Sequence, residues 1–224
     1  MVAITGLSYF IFCIVDAIKG AKEHNVSYPL KKINRWYVYL GYWLVTSVII
    51  QPFVEMTVKN NIAQAYKIPS GAMLETLLSG DHIIANKFIY KISEPKKGDI
   101  VIFPFPKEPT KDYIKRIVAT AGETIELRDK ELIINGIPLQ ESYAYHFDPR
   151  IIPRDMGPRD NFGPVIIPEG KVFVMGDNRD NSYDSRFWGF LEESSIRGKA
   201  VNIYWSWDKD DSNVRWKRIG TIIE

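Results

Sequence analysis

A mainly β fold is predicted for this chain: an antiparallel β-sheet domain with a proline-rich accessory excursion, preceded by two transmembrane helices. Three observations predict it. From residue 65 onward, apolar residues fall in short β-type runs separated by turn signals. No amphipathic helical stretch of respectable length interrupts those runs. Before them, apolar density is concentrated in two N-terminal stretches, residues 2–18 and 37–54.

Bilayer crossing needs about 20 helical residues, with a lower limit near 17. The stretch at 37–54 meets this, and the one at 2–18 is marginal. A cleaved signal peptide is the rival reading of the first stretch, but it lacks a basic start and no small-x-small site follows it. Between the two lie Lys19, Lys22, Lys31, Lys32 and Arg35, opposed only by Glu23. The positive-inside rule places that loop in the cytoplasm. The chain thus divides into a first span (1–18), a basic cytoplasmic loop (19–36), a second span (37–58) and an exported β-rich domain (59–224).

Within the exported domain, residues 82–90, 100–103, 113–120, 124–127, 132–134, 172–175 and 200–207 are expected as strands. Arg128-Asp129-Lys130 has the form of a short hairpin loop, and Asn135-Gly136 is a strong two-residue turn signal. Residues 140–168 carry Pro149, Pro153, Pro158, Pro164 and Pro168, a long excursion rather than a core element.

Composition excludes little. With 29 Lys plus Arg against 27 Asp plus Glu, the net charge of +2 points to no particular partner, and 46% hydrophobic residues suffice for a sizeable core. The single cysteine, Cys13, rules out an internal disulfide and reads as a small packed side chain.

Three stretches carry chemistry. They are Ile68-Pro69-Ser70-Gly71-Ala72-Met73-Leu74-Glu75-Thr76-Leu77, Tyr113-Ile114-Lys115-Arg116, and residues 176–189, dense in Asp, Asn, Arg and Ser. A serine hydroxyl needs a base beside it to attack at neutral pH. His24, His82 and His146 lie in none of these stretches. A lysine serves if apolar burial lowers its pKa from about 10.4. Lys115 shares a strand face with Tyr113 and Ile117, which would exclude water. The third stretch fails as a calcium loop: counting from Asp180, the sixth residue is Ser185 rather than glycine and the twelfth is Leu191 rather than glutamate. An ion-pair network of Asp177, Arg179, Asp184 and Arg186 is the better reading, and no metal or cofactor is expected.

Taken together and in this order, the stretches resemble the catalytic boxes of type I signal peptidase, the membrane-bound Ser/Lys enzyme that removes signal peptides from exported proteins. Lys97-Gly98-Asp99-Ile100-Val101-Ile102-Phe103 and Gly122 match as well. The resemblance covers residues 68–189 in detail and the two-helix layout before them. A Pro-Gly-Asp-like turn of the family reads Ala121-Gly122-Glu123 here, a departure on which no chemistry depends.

The resemblance implies that position 72, alanine here, is the nucleophilic serine, and that Lys115 is the general base. Ser70 and the backbone N–H at 72 would form the oxyanion hole. Ser182 would hydrogen-bond the lysine, and Asp184 would pair with Arg186. Ile68, Pro69, Met73, Leu77, Ile83, Ile102, Tyr113 and Ile114 would line shallow pockets for small side chains. Pro69 through Met73 and Asp112 through Ile114 would pair with the extended peptide. The partners implied are signal peptides and the lipid bilayer, with Trp205, Trp207 and Trp216 as interfacial anchors or, alternatively, core. The implied location is the bacterial inner membrane, multi-pass, with the catalytic domain outside.

Alanine at 72 within otherwise intact motifs has the form of a deliberate inactivating substitution; a natural binding module that holds signal peptides uncut is the other reading. Self-cleaving transcriptional repressors also use a Ser/Lys pair. They need a DNA-binding helical domain and no anchor, whereas this chain has apolar N-terminal segments and no basic helix-turn-helix pattern, so no nucleic acid is expected.

Overall fold

A computed structural model of the chain describes Val15, Lys19 and residues 36–223. The expected first span and basic loop, Cys13 among them, therefore lie outside the described residues except for Val15, Lys19 and Trp36. The chain forms two compact units, Met1–Phe53 and Val54–Glu224.

Helix α1 (Trp36–Val45), a π-helical turn (Thr46–Ile50) and α2 (Gln51–Asn61) follow one another without a break. Tyr37–Asn61 is 25 residues long with mean hydropathy 1.4, and none of it is buried. At about 1.5 Å per residue it exceeds the ~30 Å hydrocarbon core of a bilayer. Among the described residues it is the one helix long and apolar enough to cross. It runs three residues past the expected end at 58. The π turn sits just before Pro52, whose missing N–H interrupts the regular ladder. Gln51 N–H donates to Thr46 O, five residues back. Thr46 Oγ1 caps the carbonyls of Tyr42 and Trp43 at 2.9 and 3.0 Å.

Two antiparallel sheets make up the second unit. The larger is built from β1 (Ala63–Lys67), β2 (Asp81–Asn86), β3 (Ile100–Phe105), β4 (Glu108–Ala119), β9 (Lys171–Met175), β10 (Leu191–Glu192), β11 (Gly198–Asp208) and β12 (Asn213–Val214). Its strand order is β1-β2-β11-β3-β4-β9-β10, with β12 paired to β11. The smaller sheet has the order β7-β6-β5-β8, from β5 (Thr124–Arg128), β6 (Glu131–Ile134), β7 (Ile137–Pro138) and β8 (Phe162–Ile166). Two short helices complete the unit, α3 (Ile89–Ile92) and α4 (Ser185–Trp188).

Both expected turns close their hairpins. Arg128 pairs with Glu131 across Asp129-Lys130, and Ile134 pairs with Ile137 across Asn135-Gly136. All four turn residues have positive φ (49°, 75°, 53° and 78°), the backbone a two-residue hairpin turn requires.

Two expectations need correction. The strand expected at 82–90 stops at Asn86, because its Oδ1 accepts from the N–H groups of Phe88 and Ile89 at 2.9 and 3.1 Å and turns the chain into α3. The excursion at 140–168 is not all loop, since its last part is β8, paired with β5. Pro164 is tolerated there because β8 is an edge strand.

Three buried clusters hold this unit together. Ile68, Met73, Leu77, Ile83, Ile100 and Ile102 pack into one, directly beneath the turn that carries Ala72. Phe103, Ile117, Val172 and Val174 anchor a second, against which Tyr113 and Trp188 pack. The third fills the smaller sheet, with Ile125, Leu127, Leu132 and Phe173.

Candidate active site

Strand β4 carries Lys115 into the protein. Its side of the strand packs against apolar residues, and the residue is 4% exposed. Nζ donates to the carbonyl oxygen of Ile114 at 3.1 Å and lies 5.4 Å from the Tyr113 ring centroid. Burial lowers its pKa from 10.5 to about 8; Asp184 and Asp177 act against the lowering, and Arg186 with it.

The segment 68–80 is a compact turn between β1 and β2. Ile68 and Met73 are buried, Ala72 is half-buried, and Ser70 is exposed at the tip. Asn178 holds this turn from the opposite side. Its backbone N–H donates to Ala72 O at 3.2 Å, and its Nδ2 donates to Gly71 O at 2.9 Å. Gly176 lies where no side chain fits: a Cβ there would come within 3.0 Å of both Ala72 O and Ser182 Oγ. The first and third stretches are thereby packed backbone to backbone at position 72.

Ser182 Oγ is buried, yet it completes no hydrogen bond. It lies near enough to Asp184 to favour that carboxylate without making a bond of good distance and angle. The expected bond from Ser182 to the lysine is thus not formed, because the ammonium is turned to the Ile114 carbonyl.

The ion-pair network differs in its partners from the expected one. Asp184 and Arg186 do pair, Nε to Oδ1 and Nη2 to Oδ2 both at 2.8 Å, with both side chains fully buried. Arg186 also donates to Arg179 O at 2.8 Å, and Asp184 accepts from Gly176 N at 3.1 Å, which closes the loop on itself. Asp177, however, pairs with Arg116, and Arg179 pairs with Glu141. The Arg116 guanidinium lies 3.9 Å from the Tyr143 ring centroid. Asp177 also accepts from Thr76 Oγ1, a second tie to the turn. Arg116, Thr76, Glu141, Tyr143 and Asn178 were missed from sequence. Arg116, next to the lysine, Thr76, inside the first stretch, and Asn178, inside the third, carried a local signal; Glu141 and Tyr143 carried none.

Six residues expected at the pocket, Ile68, Pro69, Ile83, Ile102, Tyr113 and Ile114, do line one small cavity, as does Asp112, which was expected to pair with the peptide. Met73 and Leu77 do not: at 1% and 0% exposure they belong to the core beneath it. Tyr66 and Lys67 line the cavity as well. The Tyr66 hydroxyl is buried without a partner, and burial raises its pKa. Residues 112–114 pair with β3 on one side, while pairing with β9 begins only at Arg116. The other edge of 112–114 is therefore unpaired among the described strands.

Similarities to known proteins were found. Residues 40–205 match the family described as "Signal peptidase, peptidase S26". Signal peptidase I of Aquifex aeolicus (strain VF5) is 36% identical over 200 residues, covering 66% of this chain and 78% of that one. Signal peptidase I of Pseudomonas fluorescens is 30% identical over 252 residues, covering 93% and 88%. A solved signal peptidase I from Enterococcus faecalis V583 is 33% identical, covers 48% of this chain and 97% of that chain, and has a TM-score of 0.39.

Proposed function

Because the chain belongs to the signal peptidase family, peptidase S26, we propose that it is built as a membrane-bound Ser/Lys endopeptidase that removes signal peptides after small residues of the Ala-x-Ala type, and that Ala72 leaves it able to bind but not to cut. The observation that carries this reading is Lys115, a buried lysine whose pKa falls to about 8 on a strand bordering the cavity.

With serine at 72, the neutral Lys115 amine takes the hydroxyl proton as the oxygen attacks the scissile carbonyl. The developing oxyanion is held by Ser70 Oγ and the backbone N–H of residue 72. The ammonium then protonates the departing amine, which frees the mature protein. A water, deprotonated by the same lysine, hydrolyses the acyl-enzyme and releases the signal peptide. The Ile114 carbonyl holds the lysine, and the Asp184–Arg186 pair holds the loop behind it. Alanine at 72 keeps the N–H and removes the attacking atom. Loss of a nucleophile costs on the order of 10⁴- to 10⁶-fold in rate while binding survives.

The substrate lies extended along the unpaired edge of 112–114 and adds a strand. The cavity beside it is shallow, which suits small side chains at the last and third-last positions. Tyr37–Asn61 anchors the protein in the bacterial plasma membrane, with the catalytic domain on the outer side and a first span before it. Trp205, Trp207 and Trp216, exposed at 37%, 38% and 72%, suit the headgroup layer. A second reading, a natural pseudoprotease that holds signal peptides, is favoured by Ala72 alone.

Purified Ala72→Ser protein in detergent or lipid is expected to cleave a pre-protein bearing Ala-x-Ala, while the chain as it stands binds the same pre-protein uncut. An inactive Ala72→Ser protein, folded and still binding, would overturn the protease reading in favour of the pseudoprotease.

A further inference from the structure

Asn178 touches position 72 through the backbone alone, and the details of that contact have a chemical consequence. The residue is 3% exposed. Its Nδ2 donates to Gly71 O at 2.9 Å, its backbone N–H donates to Ala72 O at 3.2 Å, and its Oδ1 is buried without a partner. Turning the amide over would set Oδ1 against the Gly71 carbonyl, oxygen to oxygen, so the donor orientation is the one the site enforces.

The Gly71 carbonyl and the N–H of residue 72 belong to the same peptide unit. That unit is planar, and in the trans form its C=O and N–H point in opposite directions. A donor fixed on the carbonyl therefore fixes the direction of the N–H. It also polarises the unit, because hydrogen bonds in a chain strengthen one another, so the N–H becomes the better donor.

We propose that Asn178 is a positioning residue for the oxyanion hole: by holding Gly71 O, it aims and strengthens the N–H of residue 72 that receives the oxyanion. This rests on the proteolytic reading of the site and extends it to a residue with no contact to substrate. The second bond, to Ala72 O, restrains the next peptide unit and keeps the two planes from rotating together. Since the oxyanion exists only in the transition state and the tetrahedral intermediate, the contribution falls on turnover and not on substrate binding.

The test compares Asn178→Ala and Asn178→Leu in the Ala72→Ser full-length protein. Leucine keeps the branched volume without the donor, so it separates packing from hydrogen bonding. Both variants are expected to lower kcat about tenfold, with KM within twofold and Tm within a few degrees. A peptide boronate, which mimics the tetrahedral adduct, is expected to bind both about tenfold more weakly. Recovery of kcat by leucine, or a loss confined to KM, would overturn the inference.

A measurement without turnover separates this inference from the protease reading itself. In the chain as it stands, the amide proton resonance of Ala72 is expected to move upfield in both Asn178 variants, as its peptide unit loses polarisation. An unmoved resonance overturns the role of Asn178 even where Ala72→Ser cleaves.

Discussion

Arg116 grips Asp177 through two parallel hydrogen bonds, Nε to Oδ1 at 2.9 Å and Nη2 to Oδ2 at 2.8 Å. With side-chain exposures of 3% and 0%, the pair is dry. Arg116 follows Lys115 on β4, and Asp177 precedes Asn178, so this contact ties the lysine strand to the loop that holds position 72. Neighbouring strand residues point to opposite faces. One face of β4 thus presents the candidate base, and the other locks it to the site.

Removing one partner of such a pair leaves a buried charge unmatched, at a cost of about 3–5 kcal/mol. Asp177→Ala is expected to lower the unfolding free energy by that amount in a denaturant titration. The Arg116→Met/Asp177→Ala double variant is expected to lose clearly less than the sum of the two single changes. Additive losses would show that the two residues act separately.

Turnover in the Ala72→Ser protein should follow the neutral form of Lys115. Since its pKa lies near 8, kcat/KM is expected to rise about tenfold per pH unit below that value and to level off above it. A pH profile from 5.5 to about 10 checks this. A flat profile across pH 7–9 would remove Lys115 from the role of base.

The same lowering makes Lys115 a cost to folding. Its folded pKa lies below the unfolded value, so the unfolded chain holds the proton more tightly and stability rises with pH between about 8 and 10.5. The lowering corresponds to roughly 3 kcal/mol. In the Ala72→Ser protein, Lys115→Met is expected to abolish turnover and to stabilise the fold by up to that amount at pH 7. The gain should shrink above pH 8 and fade beyond 10.5, as followed by thermal unfolding across pH.

Ile114 is half-buried and lines the cavity beside Tyr113 and Asp112. Ile114→Ala enlarges the cavity while removing few core contacts. In the Ala72→Ser background it should raise kcat/KM for a pre-protein with leucine at the third-last position by about 10-fold or more, relative to alanine there. Competition between the two pre-proteins reads the ratio. An unchanged ratio would place the specificity pocket elsewhere.

Local sequence signals were followed closely where the physics is local. Positive φ at Asn135-Gly136 and Asp129-Lys130 depends on a few neighbouring residues, whereas Lys115 is buried because β4 is covered on both faces from residue 115 to 119. Strand ends were less legible. Asn86 stops β2 by capping two amide groups, whereas its neighbours read as continuing strand, and β8 was hidden among prolines that an edge strand tolerates. Met73 and Leu77 were expected at the pocket and lie in the core, because the turn that carries them rolls their side chains beneath position 72.

The residues themselves determined the chemistry on offer: an alanine where the resemblance expects a serine, a lysine on an apolar strand face, a loop of carboxylates and guanidinium groups, and an apolar stretch long enough for a bilayer. Tertiary structure alone decided which charges meet. Asp177 finds Arg116 across 61 residues, Arg179 finds Glu141 across 38, and Asn178 reaches Gly71 across 107. Such contacts depend on which strands lie side by side and in what register. No neighbouring residue encodes that, so the partners of a buried charge become known only once the sheet has closed.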